Sequence, residues 1–328
     1  MSQELLLAIG LALLFDFLNG VRDASNIVAT MISSRAFRPQ TALVITAIAE
    51  FIGPFLFGVV VATTIGDQVV QSTALDLESI IACLVGAILW NLITWFLGLP
   101  GSSSHALIGG LIGAVMMRAG VDAIKLGGLY KVLIALFLSP LVGFIFGFLI
   151  TRIIYFLVRH ATPRVNDIFR NGQLFTALAL AFSHGTNDSQ KVMGIITLSL
   201  VIGGVLPSFQ IPFWVMVVSA AGIAIGTIFA GRRLIHTLGS RFYKIRPLHS
   251  FSTQFTSAIV ILSASLFGVP VSTSQVVSSA IIGVGSSERL SKIRWSVAED
   301  IVVSWIITIP MSGLLSAGVY WLIVNLGL

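Results

Sequence analysis

The length of its uncharged runs constrains this chain more than any other feature. From Ser79 to Met117 there are 39 consecutive residues without Asp, Glu, Lys or Arg, from Val192 to Gly231 there are 40, and from Pro247 to Ser287 there are 41. A bilayer crossing needs only about 20 apolar residues, so each run holds two crossings or one helical hairpin. Charged residues make up 10% of the 328 residues and hydrophobic ones 56%, whereas a soluble domain carries about 25% charge. A water-facing surface cannot be built from that composition, and the chain reads as an all-α polytopic membrane protein.

The same features set other classes aside. Net charge is +6, yet the basic residues sit at the ends of apolar runs, where the positive-inside bias explains them without nucleic acid as a partner. The single cysteine, Cys83, lies in mid-run, which leaves no disulfide framework, iron–sulfur cluster or zinc cage. The first apolar segment lacks a basic start and carries Asp16, Arg22 and Asp23. It reads as the first membrane helix, not as a cleaved signal peptide.

Two composite motifs occur twice in the same order. Phe17-Leu-Asn-Gly-Val-Arg-Asp-Ala-Ser-Asn26 aligns with Phe182-Ser-His-Gly-Thr-Asn-Asp-Ser-Gln-Lys191 at an offset of 165, placing Gly20 on Gly185 and Asp23 on Asp188. Gly98-Leu-Pro-Gly-Ser-Ser-Ser-His105 aligns with Gly268-Val-Pro-Val-Ser-Thr-Ser-Gln275 at an offset of 170, and Pro140 falls on Pro310 at the same offset. Such register indicates duplication. Residues 1–157 form the first repeat, 158–172 a basic cytoplasmic linker, and 173–328 the second repeat. Each repeat reads as a broken helix, a full span, a pair of helices joined at the Pro-Ser motif, and a last span. The expected limits are 4–34, 40–64, 79–98, 102–118 and 130–157, then 173–203, 211–231, 248–268, 272–287 and 296–325. Each pair is either two crossings or a re-entrant hairpin.

With both termini outside, 14 of the 19 basic residues fall on inner loops: Arg35, Arg38, Arg152, Arg159, Arg164, Arg170, Arg232, Arg233, Arg241, Lys244, Arg246, Arg289, Lys292 and Arg294. The repeats then run in opposite senses through the membrane. Inverted repeats with broken elements meeting near the midplane are an architecture of secondary transporters.

Ionisable groups inside a membrane are expensive and mark functional positions. Asp23 and Asp188 stand beside Gly20 and Gly185, whose missing side chains permit unwound backbone or close ligand approach, and Asn19, Asn26, Asn187, Gln190 and Lys191 surround them. The Pro-Ser motifs supply complementary chemistry. Ser102, Ser103 and Ser104 in one half, and Ser272, Thr273 and Ser274 in the other, open helices whose free N–H groups and dipole favour an anion. Ordinary capping needs one hydroxyl per helix. Two anion-holding ends with two carboxylates suit a small oxyanion together with a cation. Phosphate fits better than sulfate, because its P–O–H can donate to an aspartate.

His184-Gly-Thr-Asn-Asp-Ser-Gln-Lys191, the stretch from Trp90 through Gly98-Leu-Pro-Gly-Ser-Ser-Ser-His105 to Gly110, and Gly268-Val-Pro-Val-Ser-Thr-Ser274 resemble the inorganic phosphate transporter (PiT) family over nearly the whole chain. The resemblance implies a homodimer with inverted repeats in the cytoplasmic membrane, taking up inorganic phosphate by symport with sodium or protons and needing no cofactor. It implies that Asp23, Asn26, Ser102 to Ser104, Asn187, Asp188, Lys191, Ser272, Thr273 and Ser274 line the phosphate site. It further implies coupling-ion sites to which Asp23, Glu50, Asp188, Gln254 and Asn91 would contribute, with Asp23, Asp188 and Glu50 as the positions for sodium. Two positions depart from the family pattern. Arg22 stands where a neutral Asn or a His is usual, and would hold its charge beside Asp23 or snorkel to the interface. Gln275 stands where His is common.

Rival readings are a sulfate symporter of the same superfamily, a passive anion channel, which would not need duplicated buried aspartates, and a hydrolase built on Ser103 and His105. Residues two apart on a helix do not face each other, which counts against the last. Topology is testable directly. Cysteines placed at Ser2 and Ser240 in a Cys83→Ser background should react with a membrane-impermeant thiol reagent on whole cells only at Ser2; labelling at Ser240 would overturn the inverted orientation.

Overall fold

The computed structural model describes residues 2–34, 36–71, 74–99, 101–162, 164–230, 246–288, 290 and 295–327, without the side chains of residues 33, 296–298, 300 and 301. Most of the basic residues used to orient the chain, namely Arg35, Arg232, Arg233, Arg241, Lys244, Arg289, Lys292 and Arg294, lie outside them, as does Pro100 of the first Pro-Ser motif.

The described residues form helices joined by short connections: α1 (Gln3–Ser33), α2 (Pro39–Phe57), a short α3 (Val60–Thr63), α4 (Leu77–Phe96), α5 (Ser103–Ala119), α6 (Leu126–Leu157), α7 (Val165–Ile202), α8 (Phe213–Phe229), α9 (Pro247–Leu266), α10 (Thr273–Glu288) and α11 (Trp295–Leu326). Local chemistry sets many of their ends. Pro39 and Pro247 open α2 and α9, where the missing N–H is no loss. Ser2 and Asp76 cap α1 and α4 by accepting from Leu5 N and Ser79 N. Both α4 and α9 end just before a glycine of positive φ, Gly98 at 68° and Gly268 at 67°, so the two Pro-Ser connections leave their helices with the same backbone turn.

Three expectations are corrected. The motif helices are not broken: α1 runs through Gly20 and α7 through Gly185 without interruption. The glycines serve close helix packing instead, since a Cβ on Gly20 would lie 2.2 Å from Ile223 O and one on Gly185 2.2 Å from Glu50 O. The linker 158–172 is helical from Val165, because Phe169, Gln173, Ala177 and Leu180 bury one stripe of its surface. The second span stops at Phe57, where Gly58 turns with φ of 78°. α6 and α11 continue through Pro140 and Pro310.

The helices interleave across the two motif-bearing halves. α5 packs along α11 and α10 along α6, while α1 packs along α8 and α2 along α7. Small residues make these approaches possible: a Cβ on Gly113 of α5 would meet Gly313 O at 2.0 Å, and one on Gly283 of α10 would meet Phe144 O at 2.1 Å. α7 is the axis of the molecule. Every residue from 183 to 200 is buried, covered by α1, α2, α3, α4, α8 and α9. Five described helices are long and apolar enough to cross a membrane, Gln3–Ile32, Pro39–Phe57, Leu77–Phe96, Leu126–Leu157 and Val302–Leu326. Their outer faces expose large apolar side chains such as Leu141, Leu149 and Ile153 on α6 and Ile306 and Leu314 on α11.

Gly185→Ala should drive a methyl group into the α2 backbone. Overpacking of this kind costs about 1–3 kcal/mol, and the thermal midpoint in detergent should fall by several degrees. Gly10→Ala, where a Cβ meets nothing within 4 Å, should leave it unchanged or raise it.

Candidate functional site

The site is assembled mainly from the mid-lengths of α1 and α7. Asp16, Asn19, Asp23 and Asn26 lie along one face of α1, and His184, Asn187, Asp188 and Lys191 along one face of α7, both at helical spacing. Asp16, Asp23, Glu50, His184, Asn187, Asp188 and Lys191 are all at most 3% exposed.

His184 is the hub. Its Nδ1 lies 2.7 Å from Glu50 Oε1, and its Nε2 lies 2.8 Å from Asp188 Oδ2 and 3.9 Å from Asp23 Oδ2. The other Glu50 oxygen accepts from Thr227 Oγ1 at 2.6 Å. Glu50, expected as a sodium ligand, is therefore engaged at both oxygens, while Asp23, His184 and Asp188 each offer one ligand atom within 4.8 Å of one another. A narrow cavity beside them is lined by Asp23, Asn26, His184, Thr273 and Ser274 together with Ile27, Leu180, Ile261 and Val277.

The two Pro-Ser connections meet at this cluster. Ser102 caps α5 by accepting from His105 N at 3.2 Å, and its hydroxyl donates to Ser272 Oγ at 2.8 Å. Ser272 pairs with Ser274 at 3.2 Å, and Thr273 donates to Asp188 Oδ2 at 2.7 Å. The N-termini of α5 and α10 are thereby brought together beside the carboxylates. Lys191 donates to Ser104 Oγ at 2.6 Å, to Val271 O at 2.7 Å and to Asp188 Oδ1. All three of its N–H groups are used. His105 Nδ1 lies 2.8 Å from Ser102 Oγ and 3.2 Å from Gln275 Nε2, which explains the polar residue at 275 as a partner of His105 across the two connections.

Other expected residues are placed differently. Asn187 donates to Ser265 Oγ at 2.9 Å, on α9. Gln254 lies apart from the carboxylates, accepting from Thr176 Oγ1 at 2.7 Å and donating to Thr30 Oγ1 at 3.0 Å. Asn91 accepts from Arg22 Nη1 at 2.7 Å. Arg22 turns inward and not to the interface: its Nη2 is buried without a hydrogen-bond partner among the described residues, and a Cβ on Gly101 would lie 2.5 Å from it.

Sequence reasoning missed one contact and one group. His184 was visible beside Gly185, but its partner Glu50 lies on a different helix, 134 residues away. Asp16 is fully buried, with neither carboxyl oxygen hydrogen-bonded among the described residues. Its spacing of seven from Asp23 on one helix face was the available signal.

The model of the phosphate transporter family matches residues 19–316, which takes in both copies of both motifs except Phe17 and Leu18. A probable low-affinity inorganic phosphate transporter of Rhizobium meliloti (strain 1021) is 44% identical, covering 95% of this chain and 94% of its own length. A protein described in the same words from Bacillus subtilis (strain 168) is 39% identical, covering 95% of each. A solved structure titled the sodium-dependent phosphate transporter shares the fold, with a TM-score of 0.89 at 24% identity over the whole of both chains. Fold and interior together define a multi-pass helical membrane protein of the transporter class, not an enzyme. The chain belongs to the phosphate transporter family.

The contact between the connections is testable without any transport assay. Ser102→Cys with Ser272→Cys, in a Cys83→Ser background, places two sulfurs where the hydroxyl oxygens now stand 2.8 Å apart, a separation that a disulfide spans. With a protease site inserted between residues 158 and 164, oxidised protein should stay in one piece on a non-reducing gel after cleavage. Two separate fragments would refute the contact.

Proposed function

We propose that this protein takes up inorganic phosphate across the cytoplasmic membrane by symport with sodium or protons, from a homodimer whose termini face outside. The observation that carries this reading is the meeting of the α5 and α10 N-termini, Ser102 to Ser272 at 2.8 Å, beside Asp188 and its partners. Two convergent helix N-termini attract an anion. The carboxylates around them repel a fully ionised one and accept a hydrogen bond from a protonated one, which selects phosphate over sulfate. The names of the relatives, probable low-affinity inorganic phosphate transporters, agree.

The same contact bears on the membrane arrangement. If the halves are inverted, two full crossings in each Pro-Ser pair would hold the two connections about 30 Å apart, on opposite faces of the hydrocarbon. The contact between the connections supports instead that α4–α5 and α9–α10 enter from opposite sides and turn back near the middle. The lengths of α5 and α10, 17 and 16 residues, fall short of the usual crossing, as re-entrant limbs do. The interleaved pairing of α5 with α11 and of α10 with α6 repeats the same relation in each half.

Asp23 and Asp188 act in this scheme as acceptors for protonated phosphate or as ligands of the coupling ion. Asp→Asn at either position should lower uptake of labelled phosphate at least tenfold, about 1.4 kcal/mol of transition-state free energy, in protein that remains folded. Excess sulfate should not compete with wild-type uptake. Effective competition by sulfate would transfer the assignment to a sulfate symporter, and uptake indifferent to collapse of the ion gradients would indicate a channel.

A further inference from the structure

The oxygen atoms around Lys191 form a cage of the kind that holds a metal cation. One carboxylate oxygen, Asp188 Oδ1, one hydroxyl, Ser104 Oγ, and one backbone carbonyl, Val271 O, converge on Nζ. The carbonyl lies just ahead of α10, on chain that is not helical. An all-oxygen set of carboxylate, hydroxyl and carbonyl is the coordination that hard cations take. An ammonium is a compact point charge with three donors, and here each donor meets one oxygen, so none remains to bind phosphate. We propose that Lys191 is a tethered coupling cation: its ammonium permanently fills a site that a free monovalent metal ion would otherwise occupy.

The duplicated motif sharpens the point. Asn26 stands in the first half at the place of Lys191 in the second, and its amide donates to Asp23 Oδ1 at 3.3 Å. That position carries no charge, and Asp23, Asn26 and Ser274 line the cavity. One half of the site thus brings its own cation at this position, while the other has a neutral amide there and a carboxylate that lines the narrow cavity. The carrier should therefore take one free cation fewer per phosphate than one with a neutral residue at both places. This rests on the symport reading given above, but the cage itself is testable apart from it.

The test removes the tether and supplies the ion. Purified Lys191→Ala and Lys191→Asn are compared with wild type in choline and in sodium media, by thermal unfolding and by phosphate uptake in proteoliposomes. Both variants should gain a saturable sodium-dependent rise in thermal midpoint that wild type lacks, and adding Ser104→Ala should abolish it. In choline their uptake should fall at least tenfold, and sodium should restore it several-fold. A variant that folds only in sodium also supports the cage. Folded variants with no sodium response beyond that of wild type overturn the proposal, as does failure of both variants to fold at saturating sodium. Wild type that takes up no phosphate, alongside variants with a sodium-dependent midpoint, would remove the phosphate reading and leave the cage standing.

Discussion

A charge removed from water must find a partner within the protein, and in this molecule that requirement organises the interior. Burying an ion costs several kcal/mol even after relaxation, and removing one member of a buried pair costs about 3–5 kcal/mol because the other is left uncompensated. Asp188 is held by Lys191, Thr273 and His184, and Glu50 by His184 and Thr227. These residues come from α2, α7, α8 and α10. Asp188 finds Lys191 and His184 on α7 itself, and Glu50 and Thr273 complete the set only when α2 and α10 press against that helix. Gly185 against the backbone at Glu50, and Gly20 against the backbone at Ile223, give the closeness that such short contacts demand.

The polar cluster is deliberately incomplete on one side. Asp23 Oδ2, Asn19 Oδ1, Asn187 Oδ1 and both Asp16 oxygens are buried without hydrogen-bond partners among the described residues. Unpaired buried acceptors are costly, and here most belong to α1, with Asn187 Oδ1 on α7, while Asp188 and Lys191 are paired. Paired Asp188 and Lys191 beside these open acceptors give a scaffold against which a ligand completes the network. The hydroxyls of the two Pro-Ser connections illustrate the division. Ser102, Ser104, Ser272 and Thr273 bond to each other, to Lys191 and to Asp188, and Ser274 lines the cavity.

Much of the fold was legible because it follows from long-range composition and local chemistry. Uncharged runs defined the helices, Pro39 and Pro247 marked starts, and Ser102 in a Pro-Ser motif marked a capped N-terminus facing its copy. The errors have physical causes. A glycine in a polar motif has the same sequence signature whether it breaks a helix or admits a neighbour, so Gly20 and Gly185 were ambiguous. The charged start of α7 resembled a linker because only Phe169 and Gln173 of its first turns are buried. The tie between Glu50 and His184, the inward course of Arg22 to Asn91, and the occupied donors of Lys191 depend on which helices become neighbours. No spacing within one segment encodes that.

The interleaving of α5 with α11 has a consequence for how the protein is made. The surface that α5 buries, including Gly109 and Gly113 against Ile309, Ser312 and Gly313, belongs to a helix that is synthesised only after the second Pro-Ser connection. Until the second Pro-Ser connection and then α11 are synthesised, the first connection has neither Ser272 nor its helix wall to hold it. The N-terminal half must therefore wait in the bilayer as inserted but unseated helices, and its half of the site takes shape only once α11 has followed.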